Sequence, residues 1–361
     1  MQRSFQDELR VVANAWDGDE EALQSLAQSD VDGSIANRHR AGSALCRAAE
    51  AAGIEPSESW RRRRRATAGK QMLLEESLRQ VATVMAGASV PWAPIKGLDL
   101  LTRNPPVYPK PEDRPSSDLD ILVPEDRLED ARRALLDFGS RDLTSGPLGE
   151  RYLREEGYAW QAVLPSSVLV EVHFRLWGQV DPDWPAALLT AAVADDEMRG
   201  ALRLLPSDAF LLAATHAFTV ATPRGAGIWR DLTALARAHP DLTSSVVENA
   251  ERFGLQLPVA RAASLAAELW GTSVCAEIGR HLEGSLRAPE KRLLRKSVAE
   301  LPLSDLTLAR HLAGRRCRHG IVRAAWRRLW PHPGVIEGST PEGWWLLRRL
   351  QFHLPRRRPR E

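Results

Sequence analysis

Between residues 5 and 50 apolar and polar positions recur at helical spacing, with Ala, Leu and Glu abundant, which predicts a helical opening to the chain. Pro56-Ser57-Glu58-Ser59 supplies a helix start. Leu74, Leu78, Val81 and Met85 then fall at i, i+4, i+7 and i+11, a stripe that one helix face must bury. After that the period changes. Val90 to Ile95 reads as a strand, Gly97 to Thr102 as a short helix, and Asn104 to Ser117, with five prolines, as a loop. Asp118 to Val123 alternates as a second strand. Pro124 to Phe138 is predicted helical, with Leu128, Ala131, Leu135 and Phe138 on one face and Gly139 as its stop. Residues 141 to 157 read as a loop, Tyr158 to Leu164 as a strand, and Val168 to Phe174 as its hairpin partner through Pro165-Ser166-Ser167. From Ser207 onward the pattern is helical almost throughout, with Ser207-Asp208 capping one helix and Trp229 to Ala238 forming another. The expectation is an α+β chain: a small mixed sheet flanked by helices, with N-terminal helices before it and a C-terminal helical domain after it. Its predicted divisions are a helical region 1–88, an α/β core 89–200, a helical domain 201–310 and a tail 311–361.

The second strand carries the first chemistry. Alternation sends Asp118, Asp120 and Leu122 to one face and Leu119, Ile121 and Val123 to the other, so two carboxylates share a face about 6.5 Å apart along the strand. In Val168 to Phe174 the apolar face is Val170, Val172 and Phe174, while Glu171, His173 and Arg175 take the opposite one. An acid-x-acid pair alone is usually the wet edge of a sheet. Two such strands, with a Lys96-Gly97 turn upstream, predict carboxylates converging on a divalent cation, and oxygen ligands favour magnesium or manganese. Gly97 permits close backbone approach to an anion, and Lys96 adds a full charge. Arg114 has two readings: it closes with Lys110 over a donor's phosphates, or it pairs with Asp113 or Glu112. His173 reads as an orienting partner beside a carboxylate. His216 and Asp231, inside helices, read as packing or helix-to-helix hydrogen bonds.

Composition limits the alternatives. With 361 residues, of which 43% are hydrophobic, the chain can bury a substantial core, and two domains are expected. No apolar run approaches a membrane span and the opening Met1 to Glu8 is too polar for a secretion signal, so a cytoplasmic protein is expected. Cys46, Cys275 and Cys317 are odd in number and widely spaced, fitting neither a disulfide framework nor a zinc site. Net charge hides an asymmetry: residues 311–361 hold twelve arginines against three glutamates, +9 of a total of +2, which leaves −7 for the rest. With Trp326, Trp330, Trp344 and Trp345, this tail suits nucleic acid, an acidic partner or a membrane surface; the plainer reading is amphipathic helices packed on the body, because Pro331, Pro333 and Pro341 break a continuous basic stripe. Arg61 to Arg65 covers every side of a helix and reads as mostly solvated. No stable nucleic-acid complex is expected. Arginine and alanine richness with scarce lysine points to a high-GC bacterial source.

Ile95-Lys96-Gly97, Arg114 to Val123 and Val170-Glu171-Val172-His173 together resemble the uncharacterised nucleotidyltransferase family of the DNA polymerase beta-like superfamily, with a weaker echo at His216 and Arg230-Asp231-Leu232. The resemblance spans residues 40 to 270. It implies that Asp118 and Asp120 bind metal with Glu171 as third ligand, and that Lys96, Gly97, Arg114 and Ser117 hold the donor, a nucleoside triphosphate. The resemblance does not identify the acceptor; the three inward acids point to attack by an acceptor hydroxyl, expected on a small molecule or peptide, at the α-phosphorus, with Glu171, or else His173, taking the proton. The chain departs from the wider superfamily in one place: Lys96-Gly97-Leu98 stands where a Gly-Ser or Gly-Gly pair is usual. That leaves two other readings open, a nucleotide-sugar or other activated donor, and a nucleotide-binding accessory protein without turnover.

Overall fold

The computed structural model describes residues 5–103, 105–108, 110–144, 149–150, 153, 157–176, 181, 183–219 and 225–294; the tail expected from 311 lies outside them. The chain begins with helices α1 (Phe5–Trp16), α2 (Glu20–Ser29), α3 (Ser34–Arg38) and α4 (Gly42–Ala51). Asp19 caps α2 by accepting from Ala22 N at 2.8 Å. The buried Asp30 carboxylate starts α3, accepting from Ile35 N at 2.8 Å and Ala36 N at 2.9 Å, and from the Trp60 indole at 3.0 Å. Helix α5 (Glu58–Gly87) begins at Ser57, whose hydroxyl accepts from Trp60 N. Its stripe of Leu74, Leu78, Val81 and Met85 is buried as the spacing predicts. Four of the five arginines at its start make surface contacts: Arg61 with Glu55, Arg63 with Asn37, Arg64 with Glu50 and Arg65 with Glu58.

The stripe packs on a five-stranded mixed sheet in the order β1 (Ala93–Pro94), β2 (Asp118–Leu122), β5 (Leu169–His173), β4 (Ala159–Val163), β3 (Arg141–Asp142). Only β2 and β5 run parallel. Helix α6 (Lys96–Thr102) follows β1 and α7 (Leu128–Asp137) follows β2, after a 3-10 turn at Glu125–Arg127. Leu119, Ile121, Trp160, Ala162, Val170 and Val172 bury one face against α5 and α7. The other face carries Asp118, Asp120, Leu122, Glu171 and His173 and looks toward a second core. That core joins α1 to α4 with the C-terminal helices and takes in Ala93, Ile95, Leu100 and Leu122 from the sheet region. The helices concerned are α8 (Trp184–Ala191), α9 (Pro206–Thr219), α10 (Ala226–Ala238), α11 (Thr243–Arg252), α12 (Gln256–Trp270), α13 (Ser273–Ser285) and α14 (Ala288–Leu294). Polar ties cross the same seam: His39 takes the Glu8 carboxylate at 2.8 Å and accepts from Ala226 N at 3.2 Å.

Several elements differ from the sequence expectation. The strand expected at Val90 to Ile95 shrinks to two residues because Pro91 and Pro94 supply no N–H; Trp92 keeps only a bridge to Ala201. Arg141 and Asp142, expected in a loop, pair with β4. Helix α8 and the hairpin β6 (Val193–Ala194) to β7 (Leu202–Arg203) were not anticipated; their apolar runs are too short to declare a period. The β4–β5 turn is the expected one, and Ser167 takes its left-handed position with φ of 66°. Cys46 and Cys275 are buried thiols, and burial pushes Cys275 up to about 12. Among the described residues no helix is long and apolar enough to cross a membrane.

Candidate active site

The parallel register sets Asp120 opposite Glu171 and Leu122 opposite His173. Paired residues on neighbouring strands share a face, so three side chains that are remote in sequence meet at the sheet's centre. Ligand atoms of Asp120, Glu171 and His173 all lie within 4.8 Å of one another. His173 Nε2 is 3.0 Å from Asp120 Oδ1 and 3.5 Å from Glu171 Oε2. Its ring stacks on Tyr158, and Nδ1 is buried with no hydrogen-bond partner among the described residues. The ring proton is therefore best placed on Nε2, donated to Asp120, which makes His173 the orienting partner of that carboxylate. The amide Nε2 of Gln161 donates to Glu171 Oε1 at 2.5 Å, leaving Oε2 toward the cluster.

A cation already sits there. Lys96 Nζ donates to Asp120 Oδ1 at 2.6 Å and lies 3.7 Å from Glu171 Oε2 and 3.2 Å from His173 Nε2. Lys96 reaches this point from a left-handed backbone, φ of 57°, at the first position of α6. Burial opposes the Asp120 charge, but the His173 hydrogen bond and the Lys96 charge outweigh it and hold the carboxyl well below the usual range. Asp118 behaves oppositely. Burial, then the negative charges of Asp120 and Glu171, raise its pKa against a 3.1 Å hydrogen bond from Ser117 Oγ. It stands outside the cluster that shares the 4.8 Å limit, so the structure brings together Asp120 and Glu171 and adds His173, with Asp118 one pleat repeat away along β2. Arg175 turns from the group to pair with Glu125.

The donor set suits a hard divalent ion. Two carboxylates close on one point beside the imidazole, and the ammonium between them shows that the point accepts positive charge.

Arg114 takes neither partner expected of it. Its guanidinium forms a two-pronged pair with Asp231 on α10, Nε to Oδ1 at 3.0 Å and Nη2 to Oδ2 at 2.8 Å. Tyr108 completes the arrangement by donating to Asp231 Oδ1 at 2.6 Å. Burial opposes the Arg114 charge, yet Asp231 raises its pKa on balance, and burial with the same carboxylate holds the Tyr108 phenol well above its ordinary value. Asp113 instead pairs with Arg47 at 2.7 Å, and Gln71 donates to Arg114 O at 3.4 Å. The proline-rich loop is thereby clamped to α4, α5 and α10 together. The close approach allowed by Gly97 is used by Arg114: a Cβ on Gly97 would lie 2.4 Å from the guanidinium carbon. Lys110 is exposed. Tyr108 carried no signal in the sequence beyond its place in the loop, whereas Asp231 stood in the Arg230-Asp231-Leu232 echo and its partner became visible only in three dimensions.

A family model described as an uncharacterised nucleotidyltransferase matches residues 34–271, which include every residue of this site. No curated protein and no solved structure matches the chain.

Proposed function

The chain belongs to the uncharacterised nucleotidyltransferase family, and from that premise we propose that it moves a nucleoside monophosphate from a nucleoside triphosphate to a hydroxyl of a small molecule or peptide, releasing pyrophosphate. The observation that carries this reading is the meeting of Asp120, Glu171 and His173 across a parallel strand pair, with a lysine cation between them. Asp120 and Glu171, with Asp118 beside them, would hold magnesium or manganese. Such an ion supplies charge neutralisation at the reacting phosphorus and at the departing pyrophosphate. The acceptor oxygen forms its bond to the α-phosphorus as the bond to pyrophosphate breaks, and Glu171, fixed through Oε1 by Gln161, takes the hydroxyl proton on Oε2. His173 orients Asp120. Arg114 and Lys96 add positive charge where the phosphates would lie, and Ser117 keeps Asp118 in place.

The test incubates the full chain with each of the four nucleoside triphosphates, magnesium or manganese, and a panel of hydroxyl acceptors. Pyrophosphate release and a mass increment of one nucleoside monophosphate on an acceptor are expected. Asp120→Asn should lower the rate by about a thousandfold, equivalent to about 4 kcal/mol of transition-state stabilisation, without unfolding the protein. Unaltered turnover in that variant rejects the assignment. Release of a nucleoside diphosphate from a nucleotide sugar would replace the donor.

One observation favours a second reading. The Lys96 ammonium by itself neutralises Asp120, as it would in an accessory protein that binds nucleotide without turnover. That reading expects nucleotide affinity with no product on long incubation.

A further inference from the structure

A separate pocket of about 280 Å³ opens between the α3–α4 turn, the start of α5 and the end of the proline-rich loop. Its walls are Arg40, Ser43, Arg63, Lys70, Ser116 and Ser117, with alanine, glycine, asparagine, threonine and proline between them and no carboxylate. Three cations, Arg40 from the α3–α4 turn and Arg63 and Lys70 from α5, thus line one space that no acid lines. Asp32 is the acid whose charge reaches Arg63; it accepts from Ser34 N at 2.9 Å and does not line the pocket.

Two polar groups at this wall are left unpaired. Ser43 is 4% exposed and its Oγ has no hydrogen-bond partner, and the Nε of Arg63 is likewise buried without one. Buried polar atoms ordinarily find partners, and both of these belong to residues of the pocket wall. Arg63 is also fixed in position. Nη1 donates to Asn37 at 2.8 Å, and the side chain passes so near Gly33 and Gly42 that a Cβ on either would stand about 3 Å from it. A guanidinium held still, a second from Arg40, an ammonium from Lys70 and several hydroxyls make a set rich in donors and without an anionic acceptor. Phosphate oxygens, dense in charge and without protons to give, match that set better than any neutral ligand.

We propose that this pocket is a phosphate subsite. Its volume of about 280 Å³ has room for the phosphate portion of a ligand. Ser117 belongs to its wall and hydrogen-bonds Asp118, so the bound phosphate lies next to the carboxylate strand, on the side of the N-terminal helices. The pocket's existence does not rest on the nucleotidyl-transfer reading, but the identity of its ligand does: the phosphate comes from the donor's polyphosphate or from a phosphorylated acceptor.

The test is isothermal titration of the full chain with inorganic tripolyphosphate, in chelator and at low salt. Wild type and Asp120→Asn are expected to bind alike, whereas Lys70→Gln and Arg40→Gln should each weaken binding by about tenfold, the loss of one charge-assisted contact. Both altered side chains are exposed, and unchanged unfolding curves would confirm intact folding. Absence of tripolyphosphate binding in wild type, or equal binding in both pocket variants, overturns the proposal. Displacement of tripolyphosphate by a nucleoside triphosphate assigns the subsite to the donor, and its retention assigns it to the acceptor. If the pocket variants lose binding while Asp120→Asn keeps its turnover, the transfer mechanism falls and the subsite stands.

Discussion

Replacing Lys96 by methionine removes the resident cation and keeps the length of its stem and its non-glycine backbone. The pair it breaks is buried on both sides, with side-chain exposure of 10% for Lys96 and 9% for Asp120, at 2.6 Å. At an effective dielectric of about 20 the bare attraction at that distance is about 6 kcal/mol. Desolvation cancels part of it, and losing one partner of such a pair costs about 3–5 kcal/mol. Asp120 keeps its 3.0 Å contact with His173, so the lower end, about 3 kcal/mol, is expected. The pH dependence has a definite sign. Asp120 has its carboxyl held below the usual range, so its stabilisation is present above the unfolded-state pKa and is lost as pH falls through the lowered folded value. The gap between wild type and Lys96→Met should therefore be full at neutral pH and narrow in strong acid. Urea unfolding in chelator measures the gap, and repetition in manganese measures what can replace the ammonium. An ion at about a hundred times its Kd adds about 2.7 kcal/mol to the form that binds it. Wild type must give up the lysine contact to bind the ion there, so the variant should gain more from the same manganese. Equal unfolding midpoints in chelator, or equal gains from manganese, would refute the placement of Lys96 at the cation position.

Gly97→Ala drives a methyl into the Arg114 guanidinium, which Asp231 holds, so a loss of about 1–3 kcal/mol by overpacking is expected in urea unfolding; an unchanged midpoint would mean that Arg114 yields freely. Asp231→Asn leaves the Arg114 charge short of its partner and takes an acceptor from Tyr108, which should cost about 3–5 kcal/mol, whereas Tyr108→Phe should cost about 1 kcal/mol. Burial pushes the Asp208 carboxyl up to about 6, against the hydrogen bond from Asn249. A raised folded pKa means that stability is lost as pH climbs from the unfolded value through about 6, so Asp208→Asn should stabilise the protein at pH 8 by on the order of 2 kcal/mol and hardly at pH 4. A stabilisation independent of pH would rule out that cause.

Much of the site was legible because strand alternation is local. The period of two assigns Asp118, Asp120, Glu171 and His173 to polar faces from the sequence alone, and the family resemblance orders those strands around one ion. Register is not local. It depends on which residues of β2 and β5 lie opposite, and the Asp120–Glu171 and Leu122–His173 pairs bring the imidazole into the group while leaving Asp118 a repeat away. Arg114 shows the same limit in another form. Neighbouring acids at 112 and 113 were the natural partners along the chain, but Arg47 takes Asp113 and a helix more than a hundred residues on supplies Asp231. The fold's largest surprise has that origin too. Periodicity marks α1, α2, α4, α10, α11 and α13 as amphipathic without saying that their apolar faces share one core, and only the packing joins them over the carboxylate face of the sheet.

The local departures from ordinary protein construction fall together. Lys96 adopts a left-handed backbone without being glycine, its ammonium is buried, His173 leaves a buried ring nitrogen unpaired, and Arg114 carries its charge into the interior over Gly97. Each costs stability, and none closes a gap in the core, which is complete on the opposite face through Leu119, Ile121, Val170 and Val172. If these features served packing, apolar residues of similar volume would do better, since replacing a buried ion pair by hydrophobic side chains is often neutral or stabilising. Their concentration around one point of the parallel strand pair is what a site built for charged chemistry requires, because donors and charges fixed in advance need not reorganise when phosphate charge develops. The strain in Lys96 thus has a role that packing does not provide: it aims a cation at Asp120 from a helix start whose next residue must stay bare for Arg114 to come near.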